Sequence, residues 1–315
     1  MLKKVIVTGC AGFIGSHMVD LLLQENYYVV GVDVLSYAGS ISNLNHARKN
    51  KNFFFYHENI CNTDAIRSIC QKHEIECIIN FAAETHVDNS ILGCDQFIES
   101  NIKGVVSILE VCKDLDIDIL HISTDEVYGP ASSKFFEDHA LNPKNPYSAS
   151  KAAAEHFVCA FSNTYNVSYK MIRAGNNFGP RQHSEKFTPK IIECLQKKIP
   201  VPVYGDGMQK REWIYVLDTA SAILKVLQSG KDNEVYNISS GFEQDNITTV
   251  KKIAKEMGFE FNNSLLAFVE DRPGHDKRYL INTEKIENLG WKPNFVYEDS
   301  IKETVKFYLK NKKSV

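Results

Sequence analysis

The feature that most constrains this chain is a glycine-rich turn between a short apolar strand and an amphipathic run. Val5-Ile6-Val7 leads into Thr8-Gly9-Cys10-Ala11-Gly12-Phe13-Ile14-Gly15, and a helical pattern follows over Ile14–Glu25. Glycines at this spacing let the backbone turn sharply and approach an anion, which the helix N-terminus then stabilises. Three glycines alone also mark ordinary turns. Here the next apolar stretch, Tyr28–Val32, ends at Asp33, where a carboxylate can hold both hydroxyls of a ribose. That acid repels a 2′-phosphate, so the expected cofactor is NAD, held at Gly9, Gly12, Phe13, Ile14, Gly15 and Asp33.

The same alternation continues. Strands are expected at Val5–Val7, Tyr28–Val32, Phe53–Tyr56, Cys77–Asn80, Ile119–Ser123 and Ser168–Arg173, with helices at Ile14–Glu25, Asp64–His73, Phe97–Lys113 and Ser148–Tyr165. Short, continuously apolar strands alternating with helices predict an α/β fold: a Rossmann-type, doubly wound parallel sheet. After about residue 174 the rhythm changes. Helices near Phe187–Lys197, Leu217–Gln228, Thr248–Met257 and Glu298–Leu309 alternate with strands near Val201–Tyr204, Trp213–Tyr215 and Val235–Ile238. This pattern predicts a binding domain over 1–174 and a smaller α/β lobe over 175–315, with the ligand in the cleft between them.

A length of 315 residues, 43% apolar content and a net charge of −3 describe an ordinary globular chain and give no support to nucleic-acid binding. The eight cysteines are scattered without a Cys-x-x-Cys pair, which reads as reduced thiols in a cytoplasmic setting and gives no metal site. No signal peptide and no membrane-length apolar run is expected.

Chemistry enters with Tyr147-Ser148-Ala149-Ser150-Lys151. On a helix this spacing puts Tyr147 and Lys151 one turn apart on one face, and an ammonium beside a phenol lowers its pKa toward a usable base. Upstream, Ser123-Thr124-Asp125-Glu126-Val127-Tyr128-Gly129 places two adjacent carboxyls where a strand runs out. An isolated Asp-Glu pair is more often a solvated loop or a helix cap. Beside a base able to oxidise an alcohol, it instead suggests redox chemistry followed by proton transfer. Phe81-Ala82-Ala83 follows the fourth strand, with side chains small enough either for close approach to a dinucleotide or for plain helix packing.

These stretches, with Ala82–Asp88, Gly175–Pro180, Gly205–Asp218 and Asp271–Asp276, make the chain resemble the extended short-chain dehydrogenase/reductases, and within them the nucleotide-sugar 4,6-dehydratases. The resemblance runs nearly end to end and fits members acting on dTDP-glucose and on UDP-glucose. It implies the following roles. Tyr147 takes the C4 hydroxyl proton of the sugar during oxidation, Lys151 holds the nicotinamide ribose, and Thr124 orients the C4 oxygen. Glu126 is the base at C5 and Asp125 the acid to the C6 hydroxyl. NAD recovers its oxidised form each turnover and stays bound. Asn59, Ile60, Phe81, Ala82, Ala83 and Asn177 complete the cofactor set. Glu84, Thr85, Asn176, Lys186, Arg211, Arg272 and His275 join Thr124 at a nucleoside-diphosphate sugar. Trp213 and Tyr215 are expected in the core. A homodimer through Phe97–Lys113 and Ser148–Tyr165 is implied as well.

Three departures stand out. Cys10 replaces a usual glycine, which a negative φ tolerates. Asn59 replaces a common aspartate at the adenine. Ala174-Gly175 and Asn89 are closer to UDP-sugar members. Related epimerases share the glycine loop and the Tyr/Lys pair but generally lack Asp-Glu. A 4-epimerase is therefore the alternative reading, and a catalytically silent NAD-binding regulator the alternative from another class.

Overall fold

The computed structural model describes residues 3–274 and 276–310. Six strands appear in the first part of the chain: β1 (Lys4–Thr8), β2 (Tyr28–Asp33), β3 (Phe53–His57), β4 (Cys77–Asn80), β5 (Asp118–Thr124) and β6 (Tyr169–Ala174). Then come β7 (Asn176–Phe178), β8 (Val201–Tyr204), β9 (Lys210–Tyr215), β10 (Glu234–Ile238), β11 (Glu243–Asp245) and β12 (Leu266–Val269). Seven strands make one parallel sheet in the order β10-β6-β5-β4-β1-β2-β3. The expected doubly wound architecture is present.

The strands are mostly apolar because both faces of the sheet are covered. Val5 and Val7 point into one core, with the Phe13–Gln24 and Val216–Ser229 helices. Ile6 points into the other, with the helices Thr63–His73, Gly104–Leu115 and Pro146–Tyr165. The chain order reverses between β1 and β4, so the carboxyl ends of β1, β4 and β5 open onto a crevice there.

Two expectations need correcting. The strand read at Val235–Ile238 as part of the smaller lobe is β10, which pairs with β6 at the edge of the large sheet. An apolar, β-branched run fits either sheet, and only the parallel register with Lys170–Ala174 decides. The helix read as continuous over Phe97–Lys113 is interrupted: Asp95–Phe97 runs into a π turn at Ile98–Lys103 before Gly104–Leu115. The π turn faces Asn101 inward, fully buried, where its amide bonds both the N–H and the carbonyl of Glu84 (2.8 and 2.9 Å) and Ser150 Oγ (2.9 Å). A buried amide needs those partners, and the widened turn supplies them.

One residue, Gly175, separates β6 from β7, so the chain steps directly from the large sheet into a small one of order β11-β9-β7. Trp213 and Tyr215 of β9 pack with Phe178 and Tyr297 in its core, as expected. Among the described residues, no helix is long and apolar enough to cross a membrane.

Candidate active site

A cavity of about 470 Å³ follows the crevice from the glycine turn to the start of the Pro146–Tyr165 helix. At its base Gly9 has φ +64°, and a Cβ there would stand 2.8 Å from Ala82 N. A Cβ on Gly15 would overlap the Gly9 carbonyl oxygen. Both glycines are therefore required by the close passage of β1, β4 and the helix. Cys10 is not left-handed, so its side chain is tolerated. Gly12 caps the Phe13–Gln24 helix without a side-chain bond, leaving its first amides directed at the crevice.

Asp33 closes β2, buried, with one carboxylate oxygen accepting from Ala11 N (2.8 Å) and the other from Leu35 N (2.7 Å). Burial pushes its pKa up, and these backbone bonds partly offset that. Asn59 Oδ1 accepts from Cys61 N (2.9 Å), which fixes its side chain at the cavity wall. Ile60, Phe81, Ala82, Ala83 and Asn177 line the same wall. Glycine turn, helix N-terminus and buried acid together fit a dinucleotide.

The other end holds the expected reacting groups. Asn145 caps the Pro146–Tyr165 helix through a reciprocal box with Ser148, with Pro146 in the first turn. That rigid start places Tyr147 and Lys151 against the end of β5. Thr124, the last residue of β5, donates to Asp125 Oδ1 (3.3 Å) and accepts from Glu126 N (3.3 Å). Thr124 and Tyr147 line the same end of the cavity. Asp125 is 4% exposed, and burial, then the Glu126 charge, raise its pKa well above the carboxylate range. Glu126 Oε2 is buried without a hydrogen-bond partner.

One sequence-based expectation fails here. Lys151 donates to the Ile122 carbonyl (2.7 Å), and Tyr147 is pushed up by burial and then by Glu126, with only the neighbouring Thr124 hydroxyl opposing. Lys151 is not among the groups lowering it. The buried ammonium needs an acceptor, and the strand carbonyl is at hand; burial lowers the Lys151 pKa to about 8.

The substrate set divides. Glu84, Thr85, Asn176 and Lys186 line the cavity, and Asn176 Oδ1 is buried without a partner. Lys186 Nζ donates to the Thr85 carbonyl (2.8 Å). Arg211 and Arg272 do not line it. Arg211 donates to the carbonyls of Lys210 (2.8 Å) and Asp276 (2.9 Å) and lies over the Tyr279 ring. Arg272 pairs with Asp88 at 3.4 Å. Each guanidinium has found oxygens on a neighbouring segment. His275 lies outside the described residues. Sequence reasoning did not single out Glu185, which lines the cavity and accepts from the Tyr37 hydroxyl (3.3 Å). Both residues sit in loops without a periodic pattern, and no motif marks them.

The comparisons agree with this geometry. The chain is 44% identical over 97% of its length, and 98% of the relative's, to the low-salt glycan biosynthesis protein Agl12 of Haloferax volcanii. It is 37% identical to the dTDP-glucose 4,6-dehydratase of Haemophilus influenzae, covering 99% and 100% of the two chains. The solved dTDP-glucose 4,6-dehydratase of Streptomyces venezuelae, with NAD bound, superposes with a TM-score of 0.94 at 36% identity, over 98% and 97%. The family model described as GDP-mannose 4,6 dehydratase matches residues 6–304, and the chain belongs to that family.

Proposed function

We propose that this protein converts a nucleoside-diphosphate glucose into its 4-keto-6-deoxy product with loss of water, and that it retains NAD throughout. The observation that carries this reading is the carboxyl pair beside Tyr147. Asp125 is buried, with its proton affinity raised by that burial and by Glu126, and Glu126 itself offers a carboxylate oxygen with no partner. An epimerase needs no such pair.

Bound NAD supplies a reversible two-electron acceptor for C4. Gly9, Gly12, Phe13, Ile14, Gly15, Asp33 and Asn59 would hold its adenosine and diphosphate, and Lys151 the second ribose. The chain's own groups manage the protons. Tyr147 takes the C4 hydroxyl proton while Thr124 fixes that oxygen. A ketone at C4 makes the C5 proton acidic, and Glu126 removes it. Asp125 protonates the C6 hydroxyl, which leaves as water, and Glu126 returns its proton to C5. Asn176, with its unpartnered amide oxygen, contacts the substrate near its diphosphate, and Glu84 and Thr85 line the sugar. Arg211 and Arg272 are kept as diphosphate contacts, which requires their donors to exchange present partners for phosphate.

The two dTDP-glucose 4,6-dehydratases named above favour dTDP-glucose as the substrate, and the ratio of kcat/KM for dTDP-glucose to that for UDP-glucose in one preparation tests the choice. Residues 175–315 mainly bind substrate, apart from the segment 216–238 that serves the large sheet. A homodimer is supported by Ile98, Phe157 and Tyr165, apolar and exposed on the helices expected to pair. Light scattering that gives a monomer at micromolar concentration contradicts it. The test of the whole reading is product mass. Incubation with the nucleotide sugar must yield a product lighter by one water, and an unchanged mass would favour the epimerase.

A further inference from the structure

Two loops that line the cavity come from different parts of the fold, and one tyrosine joins them. The first, residues 34–40, leaves β2 and is tied to the base of the site. Asp33 Oδ1 accepts from Leu35 N (2.7 Å), a Cβ on Gly39 would stand 2.9 Å from that oxygen, and Ser40 N donates to the Ala11 carbonyl (3.0 Å). The second, residues 180–186, comes after β7 and leads into the Phe187–Lys197 helix. It is held from behind. Arg181 pairs with Asp20 (2.7 Å), His17 Nε2 donates to the Pro180 carbonyl (3.0 Å), and Tyr308 donates to the Gln182 carbonyl. Ser36, Ala38 and Gly39 of the first loop line the same cavity as Gln182, His183 and Glu185 of the second.

We infer that Tyr37 and Glu185 form a clasp that keeps NAD in the crevice. The inference rests on the reading above that this chain retains NAD. Tyr37, between Ser36 and Ala38, donates to Glu185 Oε1 (3.3 Å), and its ring meets the His183 ring edge-on at 5.4 Å. Beside Glu185, Lys186 donates to the Thr85 carbonyl (2.8 Å), beyond the end of β4. β2 and β4 both pair with β1, so these contacts complete an arch of chain from the end of β2 to the end of β4. Residues at both feet of the arch, Val34 and Ser36 on one side and Glu84 and Thr85 on the other, line the cavity that fits the dinucleotide. Release of the cofactor requires the arch to open. Tyr37 is 45% exposed, so the joint lies toward solvent and can part without disturbing the core. Retention matters to the chemistry, because a cofactor lost between oxidation at C4 and hydride return at C6 would strand the sugar halfway.

The test follows the cofactor itself and needs no turnover. Holoenzyme is mixed with an excess of isotopically labelled NAD, and replacement of the bound molecule is timed by mass spectrometry. Tyr37→Phe removes the bond but keeps the ring contact, and should speed exchange ~5-fold, the scale of one net hydrogen bond. Tyr37→Ala loses both, and should exchange about 3-fold faster again. Glu185→Ala should speed exchange at least as much as Tyr37→Phe, since it also frees His183 (3.6 Å) and Lys186 (3.8 Å). The double variant separates a clasp from a general loosening. Tyr37→Phe added to Glu185→Ala should bring no further increase, because the two side chains act through one bond. Exchange at the wild-type rate in Tyr37→Ala overturns the clasp, and so do effects that multiply in the double variant. Wild-type protein that is isolated without NAD and takes none up overturns the cofactor reading instead, before any variant is made.

Discussion

Two buried polar clusters grow from the same pair of segments, the stretch after β5 and the Pro146–Tyr165 helix, and they are finished in opposite ways. In one, Arg173 of β6 meets Glu155 through bonds of 2.7 to 3.2 Å, and its other donors reach Tyr128 Oη (2.5 Å) and the Glu137 carbonyl (3.0 Å). Every charge there has a partner. In the other, one helical turn away, Lys151 is driven down to about 8, Asp125 is driven up, and Glu126 Oε2 has no partner. The first cluster is paired charge for charge, whereas the second keeps a carboxylate oxygen without a partner, as the proposed proton chemistry requires.

The largest effect expected from this contrast is on activity. Glu126→Gln should lower dehydration by roughly 10²–10⁴-fold, the range for a general base, while the melting temperature and bound NAD stay at wild-type levels. Full turnover in that variant breaks the contrast at its catalytic end. Glu155→Ala should do the reverse, costing about 3–5 kcal/mol of stability by leaving the Arg173 charge buried and unpaired. Urea unfolding measures it, and a loss under 1 kcal/mol would mean that the structural cluster is not paired as described.

How much of this was legible in the sequence follows the same division. β1, the glycine turn and Asp33 are contiguous, and their roles depend on local backbone geometry, so a strand, a turn and an acid could be read directly. Tyr147 and Lys151 share one helix, and Asp125 and Glu126 adjoin one strand. The periods of those elements placed them. What was not legible depends on distant segments. Nothing in the sequence around Arg211 and Arg272 announces the Asp276 carbonyl or Asp88, the groups that hold them in the structure. The π turn at Ile98–Lys103 exists because Asn101 must reach Glu84, a demand no helical pattern encodes. Lys151 was expected to lower the Tyr147 pKa, yet four-residue spacing fixes only the face, and the Ile122 carbonyl took the ammonium.

The smallest effect sharpens the comparison. Lys151 is charged in the folded and unfolded protein below pH 8, so its burial penalty is fully present there. Between about 8 and the ordinary 10.5 the unfolded chain holds more protons, and wild-type stability rises with pH. Lys151→Met should therefore melt a few degrees higher than wild type at pH 7, with an advantage that shrinks above pH 8, while activity is lost. A variant that melts lower at every pH would make Lys151 a structural group like Arg173.

The central claim is that the electrons taken from C4 are the ones returned at C6. dTDP-glucose carrying deuterium at C4 tests it in one incubation, read by mass spectrometry and by NMR of the product methyl group. Deuterium on C6 of the 4-keto-6-deoxy sugar is the predicted result. Product formed with the label released to water, or with C4 still deuterated, contradicts the account.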